Sequence, residues 1–155
     1  MIRKVIPHAE YAHIGGSGTW CDDFPENIGF EGVKILDTDM EFETPFGTTV
    51  AMKLFEISAD VTADHKPHVV LDMPFHGWFG LSPYLDTPSE RAFWVLKEAG
   101  VKWIIADGSG GGINPLLDPG DVIIHDDLID QTKRVSYISK FTDKIVRMRD
   151  IVCPD

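Results

Sequence analysis

The fold is decided by residues 87–112, which read TPSERAFWVLKEAGVKWIIADGSGGG. Thr87, Pro88 and Glu90 form a capping box, in which a preferred N-cap residue is followed by a proline and an acid in the first helical turn. Gly100 supplies the residue just beyond the end of the helix. Between these signals the apolar residues recur at helical spacing, at Ala92, Phe93, Val95, Leu96 and Ala99. The stretch therefore predicts an amphipathic helix.

Strand signals flank this helix on both sides. His68–Met73 precedes it, Val101–Ala106 follows it, and Val122–His125 comes later, after the Pro119–Asp121 turn. Short apolar runs bounded by glycine or proline indicate buried strands. The order of strand, capped helix and strand predicts a βαβ unit with a parallel sheet, and such sheets bind ligands beyond the carboxyl ends of their strands.

The first half of the chain adds three further strand predictions. Tyr11–Ile14 is apolar and runs into a glycine loop, whereas residues 19–31 are typical of an irregular loop. Val33–Phe42 and Thr48–Ser58 alternate apolar and polar residues on either side of the turn-forming segment Thr44–Gly47. Together with the βαβ unit, these strands predict an α/β domain.

Length and composition exclude several classes of protein. The chain has 155 residues with 43% hydrophobic and 25% charged residues, which is typical of one globular domain. Its net charge of −11 argues against binding to nucleic acid or to an anionic membrane. No apolar run is long enough for a membrane span, and the N-terminus lacks a signal-peptide core. With two cysteines and no disulfide framework, a cytoplasmic location is expected.

Three glycine-containing loops follow strand predictions and carry the candidate chemistry. We name them the first loop (Gly15–Gly18), the second loop (Pro74–Gly77) and the third loop (Gly108–Gly112). Glycine lets backbone N–H groups approach an oxyanion closely, and the hydroxyls of Ser17 and Ser109 add donors. The alternative is that all three loops are only tight turns.

Other polar and aromatic residues allow two interpretations each. His76 is either a donor to phosphate or to a sugar oxygen, or an ordinary loop histidine, whereas His13 is expected to be a satisfied core residue. A divalent-cation site at His125 with neighbouring aspartates is not favoured, so no metal is predicted. Cys21 has no adjacent histidine and is not predicted as a nucleophile. One group of aromatic residues either stacks on a flat ligand or packs its loop onto a neighbouring element. The group comprises Phe75, Trp78, Phe79 and Tyr84.

Several motifs together resemble the trimeric purine nucleoside phosphorylases. They are Gly15–Gly18, Thr44–Gly47, His76-Gly77, Gly111–Pro115 and Pro119–Asp121, in the order and approximate spacing of that family. The segment DDLIDQT at 126–132 is similar to a segment of the methylthioadenosine phosphorylase branch, which the chain resembles most. The resemblance covers residues 1–155 as the N-terminal portion of a single domain, and we expect the natural protein to continue beyond Asp155.

The resemblance implies a fold, a reaction and a site. The fold would be three-layer α/β with a central mixed, largely parallel sheet, assembled as a trimer or a multiple of it. The reaction would be phosphorolysis of a purine nucleoside or methylthioadenosine, with phosphate as co-substrate and no other cofactor. By resemblance, Ser17, His76 and Ser109 would bind phosphate, and Gly108, Ser109 and Gly110 would line the substrate. No catalytic residue is assigned.

The sequence departs from the family pattern at three places. Phe75 and Pro74 stand where the family carries its phosphate-binding arginine, and neither side chain can replace a guanidinium. Asp107 and Gly108 replace threonines, and a carboxylate at that position would repel phosphate unless it points away or is protonated. Gly80 replaces a histidine.

These departures leave three functions open. The first is a nucleoside phosphorylase with a weakened phosphate site, in which Arg91 is one candidate to compensate for the lost arginine. The second is a nucleosidase that uses water, and the third is a non-catalytic homologue that binds a nucleoside or supports an assembly. Dependence on phosphate separates the first two, and binding without turnover identifies the third.

Overall fold

The computed structural model describes residues 2–16, 19, 23–75 and 88–125. The chain divides into two compact units, Met1–Ser109 and Gly110–Asp155. The described helices are α1 (Pro88–Ala99) and a short 3-10 helix (Glu26–Ile28). The described strands are β1 (Ile2–Arg3), β2 (Tyr11–Ile14), β3 (Val33–Thr44), β4 (Gly47–Thr48), β5 (Met52–Ile57), β6 (His68–Met73) and β7 (Trp103–Ala106).

The strands of the first unit form a mixed sheet, which confirms the α/β class. Its order is β1-β3-β5-β6-β2-β7, with β4 paired to β3. The pairs β1–β3, β2–β6 and β2–β7 are parallel, and β3–β4, β3–β5 and β5–β6 are antiparallel. The predicted βαβ unit is confirmed as β6–α1–β7, and β2 lies between its two strands. As a result, three parallel strands stand side by side.

Helix α1 covers the sheet through a narrow apolar stripe. Ala92, Val95, Leu96 and Ala99 are buried and belong to the same core cluster as Phe42, Met52, Leu71 and Met73. The prediction that Phe93 belongs to this stripe is wrong, since its side chain is 41% exposed. At 3.6 residues per turn, Phe93 points about 100° away from Ala92 and falls outside the stripe.

The end of α1 follows the sequence signals. The helix ends at Ala99, and Gly100 adopts the left-handed conformation with a φ of 80°. Gly100 N–H donates to the Lys97 carbonyl at 3.1 Å, and Val101 N–H donates to the Leu96 carbonyl at 3.0 Å. These two bonds form a Schellman motif. Thr87, the predicted N-cap, lies outside the described residues.

The segment Thr44–Gly47 forms the predicted turn. The Thr44 hydroxyl donates to the Gly47 carbonyl at 2.6 Å and accepts from Phe46 N–H at 3.1 Å, while Gly47 has a φ of 111°. The predicted strand Thr48–Ser58 is divided into β4 and β5. The reason is Thr49, whose hydroxyl accepts the Phe42 N–H at 2.9 Å in place of a backbone carbonyl.

The predicted strand Val122–His125 is wrong. These residues have no regular structure, and Val122 and Ile124 are 92% and 90% exposed. The described residues of the second unit, 110–125, contain no strand with which this segment could pair. The turn before it is present, because Asp121 N–H donates to the Asp118 carbonyl at 3.1 Å and Gly120 has a φ of 101°.

Candidate functional site

The first, second and third loops begin at the same edge of the sheet. Strand β2 lies between β6 and β7, and Ile14 is level with Met73 on one side and Ala106 on the other. Gly15 N–H donates to the Met73 carbonyl at 2.8 Å, and Asp107 N–H donates to the Ile14 carbonyl at 3.1 Å. The described starts of the loops therefore meet at the carboxyl edge of three parallel strands, where ligands bind in sheets of this kind.

The Asp107 side chain connects the first loop to the end of β7. Its Oδ1 accepts the Gly16 N–H at 2.7 Å, and both its oxygens lie within 3.2 Å of the Thr19 hydroxyl oxygen. Gly16 is required for this approach, since a Cβ there would lie 2.3 Å from the Asp107 carbonyl oxygen. The carboxylate that the sequence predicts to repel phosphate, unless it points away or is protonated, thus points at the first loop.

A histidine that lies between two carboxylates contacts the Asp107 side chain. His13 Nδ1 lies 2.6 Å from Asp72 Oδ1, and its Nε2 lies 3.3 Å from Asp107 Oδ1. Asp72 is only 4% exposed, and the His13 ring packs against Phe24 with 4.7 Å between ring centroids. His13 is therefore a satisfied histidine, as predicted, and its partners form the row Asp72–His13–Asp107 across the ends of β6, β2 and β7.

A cleft of about 190 Å³ opens beside this row. Three carboxylates and one ammonium group line it, from Asp23, Asp39, Asp72 and Lys53. The ammonium is already bound, because Lys53 Nζ donates to both Glu26 carboxylate oxygens, at 2.9 and 2.7 Å, and to the Phe24 carbonyl at 2.8 Å. Among the described lining residues, negative charge therefore prevails, which suits hydroxyl groups or a developing positive charge better than an anion.

The predicted site residues fall into two groups. Ser17 and His76 lie outside the described residues, so their roles in binding phosphate stay predictions. Gly108 and Ser109 directly follow Asp107, and Ser109 is exposed. In the second unit, Gly110 is also exposed. A Cβ at Gly108 or Gly110 would meet no atom within 4 Å, so both positions have open space around the backbone.

Phe75, which departs from the family pattern, and Arg91, the candidate to compensate for the lost arginine, both have visible structural roles. Phe75 is partly buried and packs against the hydrophobic core, so for this residue the packing interpretation is confirmed. Arg91 is 5% exposed, and its guanidinium donates to the carbonyls of Phe46 at 2.8 Å and Thr48 at 3.0 Å. Arg91 thus holds the β3–β4 turn and does not line the cleft.

Sequence reasoning missed several residues of this site. Thr19 and Asp23, in the loop after β2, and Asp39, at an irregularity within β3, were not predicted, because residues at such positions carry no local signal. Asp72 did carry one, since it is a charged residue within the otherwise apolar strand β6. A charge at such a position is buried only when it is paired, and its partner proved to be His13.

The α/β sheet is consistent with a nucleoside phosphorylase-like protein, and comparison with known proteins supports this class. Residues 82–155 match the phosphorylase superfamily. The chain is therefore a relative of the nucleoside phosphorylases of that superfamily, as its sequence motifs predicted.

The particular relatives fall into two groups by name. The chain is 32% identical to an S-methyl-5'-thioadenosine phosphorylase of Pyrococcus abyssi over 145 residues, which cover 92% of this chain and 49% of the relative. It is 34% identical to a 6-oxopurine nucleoside phosphorylase of Pyrococcus furiosus over 122 residues, which cover 78% of this chain and 38% of the relative. The chain thus spans about half the length of the first of these relatives and less than half the length of the second. No solved structure matches it significantly.

Among the described residues, 2–16, 19, 23–75 and 88–125, no helix has the length and apolar character needed to traverse a bilayer. The same part of the chain holds no group of three or more side chains suited to binding a metal ion.

Proposed function

We propose that the protein is a pentosyltransferase that cleaves the N-glycosidic bond of a purine nucleoside or methylthioadenosine, using phosphate as co-substrate at a weakened site. The observation that supports this most is the meeting of the first loop and Asp107 at the carboxyl edge of β6, β2 and β7. The names of the relatives indicate the two substrate classes. No other cofactor is proposed.

The reaction requires little covalent chemistry from the protein. An oxygen of phosphate bonds to C1′ of the sugar while the bond from C1′ to the purine nitrogen breaks. The bonding electrons leave with the base, which gains the proton that hydrogen phosphate gives up, and the other product is the ribose 1-phosphate or its 5-methylthio form. Because the sugar becomes positively charged in the transition state, the carboxylates that line the cleft would stabilise it.

The remaining parts of the proposal come from the family. Ser17, His76 and Ser109 would hold phosphate, and the backbone at Gly108–Gly110 would line the substrate. The assembly would be a trimer or a multiple of it, in the cytoplasm, and the reaction would serve purine salvage.

A second candidate function is favoured by one contact. Since Asp107 already accepts the Gly16 N–H, a neutral nucleophile is easier to accommodate there than an anion. In a nucleosidase, the water oxygen would bond to C1′, the same glycosidic bond would break, and a water proton would end on the base. A homologue that binds nucleosides without cleaving them is the third possibility.

The test is base release by the full-length protein from adenosine, inosine and methylthioadenosine, with and without phosphate. We expect weak, phosphate-dependent release. Release that does not depend on phosphate would replace this proposal with the nucleosidase, and nucleoside binding without release would replace it with the non-catalytic homologue.

A pair of variants tests whether the cleft is the reaction site. Asp39→Asn removes a carboxylate that lines the cleft, whereas Asp60→Asn removes an exposed carboxylate from the loop before β6. We expect kcat/KM to fall about tenfold or more for Asp39→Asn and to stay unchanged for Asp60→Asn. Equal activity of the two variants would contradict the assignment of this cleft.

A further inference from the structure

Two donors at the first loop, the Gly16 N–H and the hydroxyl of the nearby Thr19, are occupied by a carboxylate of the protein itself. Backbone N–H groups of glycine loops and nearby hydroxyls are the donors that bind oxyanions. Here the Gly16 N–H and the Thr19 hydroxyl donate to the Asp107 carboxylate, at 2.7 Å and at 3.1 to 3.2 Å. Asp107 therefore takes the place that one oxygen of an external anion would take.

The Asp107 carboxylate is fixed in this position from two directions. Its own backbone N–H is bonded to the Ile14 carbonyl, which anchors the residue to β2. On the other side, His13 Nε2 lies 3.3 Å from Oδ1, and His13 is in turn held by the buried Asp72. A rotation of Asp107 toward solvent would leave the Gly16 N–H and the Thr19 hydroxyl without this acceptor and would separate the carboxylate from His13.

The surroundings offer little to offset a second anion. Of the described residues that line the adjacent cleft, Lys53 alone is cationic, and its ammonium is bound to Glu26. Phosphate placed at the first loop would have to displace the Asp107 carboxylate or lie beside it, where like charges repel.

We propose that Asp107 is a specificity-determining residue that weakens phosphate binding by occupying the Gly16 N–H and the Thr19 hydroxyl. This inference rests on the proposed function in one respect, namely that the first loop is the phosphate loop of the site. It goes further by assigning the weakness of phosphate use to one side chain and to its bond with the Gly16 N–H.

The test measures binding of inorganic phosphate to the full-length protein, without a nucleoside. Asp107→Thr shortens the side chain and removes its charge, and Asp107→Asn removes the charge alone. Asp60→Asn is the matched control, since it makes the same charge change in an exposed loop before β6. We expect phosphate affinity to rise at least about tenfold for Asp107→Thr, less for Asp107→Asn, and not at all for Asp60→Asn.

Two outcomes would overturn the proposal. One is that folded Asp107 variants bind phosphate no better than the wild type. The other needs no variant and applies even if these variants do not fold: a saturable shift of the Gly16 amide resonance in the wild-type protein at low millimolar phosphate. Because neither measurement requires turnover, an absence of nucleoside cleavage would contradict the proposed function and leave this inference standing.

Discussion

Gly16 shows how a single residue type permits the contact between the first loop and the end of β7. Its backbone lies so close to Asp107 that a Cβ would be 2.3 Å from the carbonyl oxygen and 3.0 Å from Gly108 Cα. Both neighbours are backbone atoms, which cannot rotate away as the end of a side chain can. Any larger residue at position 16 must therefore push the two segments apart.

We predict that Gly16→Ala destabilises the protein by about 1–3 kcal/mol, the usual cost of overpacking. Chemical denaturation of the full-length protein measures this change. Gly108→Ala is the matched control, because a Cβ at that position meets no atom within 4 Å. If the two variants have the same unfolding midpoint, the close approach of Gly16 to Asp107 is not present in solution.

At the scale of elements, helix α1 is joined to the β3–β4 turn by a buried cation. Arg91 comes from the apolar side of the helix and donates through Nε and one terminal nitrogen to the carbonyls of Phe46 and Thr48. The planar guanidinium can serve two carbonyls at once, which an ammonium cannot do in the same geometry. A residue that resembled a possible phosphate ligand in the sequence thus holds two elements together.

We predict that Arg91→Gln lowers the free energy of unfolding by about 2–4 kcal/mol, since it leaves the partly buried carbonyls of Phe46 and Thr48 without their charged donor. Lys97→Gln makes the same charge change on the exposed side of α1 and should change stability by less than about 0.5 kcal/mol. Thermal and chemical denaturation of both variants provide the comparison. Similar losses of stability for the two variants would show that Arg91 stabilises the protein through the charge of α1 and not through its hydrogen bonds to the β3–β4 turn.

At the scale of the whole molecule, the described sheet ends in an apolar strand. Strand β7 is last in the strand order, and all four of its residues are exposed, with Trp103 at 64% and Ile105 at 72%. Exposed apolar strands at a sheet edge promote association with other chains. A polypeptide limited to residues 1–155 would therefore present this apolar edge to other chains.

We predict that a polypeptide of residues 1–155 self-associates or aggregates at micromolar concentration. Ile105→Lys should reduce the association, whereas Phe30→Lys, which places the same charge at an exposed loop position, should not. Sedimentation velocity and thermal scans measure the outcome. A monomer with a sharp, cooperative transition would contradict the prediction.

The local structure of this protein was predictable where neighbouring residues determine it. The helix from Pro88 to Ala99 with its end at Gly100, and the turn at Thr44–Gly47, follow from capping residues and from glycine at left-handed positions. These signals act within a few residues of the chain. The family followed from motifs of the same kind, read in order. The strand expected at Val122–His125 failed because an apolar run forms a strand only beside a partner.

The arrangement of the candidate site was decided by tertiary structure alone. Gly16 and Asp107 are 91 positions apart, and His13 and Asp72 are 59 apart. These pairs meet because β2 inserts between β6 and β7, and no local pattern specifies which strand lies next to which. From the sequence, Asp107 was only a carboxylate at a position where it would repel phosphate. The pairing of distant strands gave it Gly16, Thr19 and His13 as partners, because hydrogen bonds and charges act over a few ångströms of space regardless of separation along the chain.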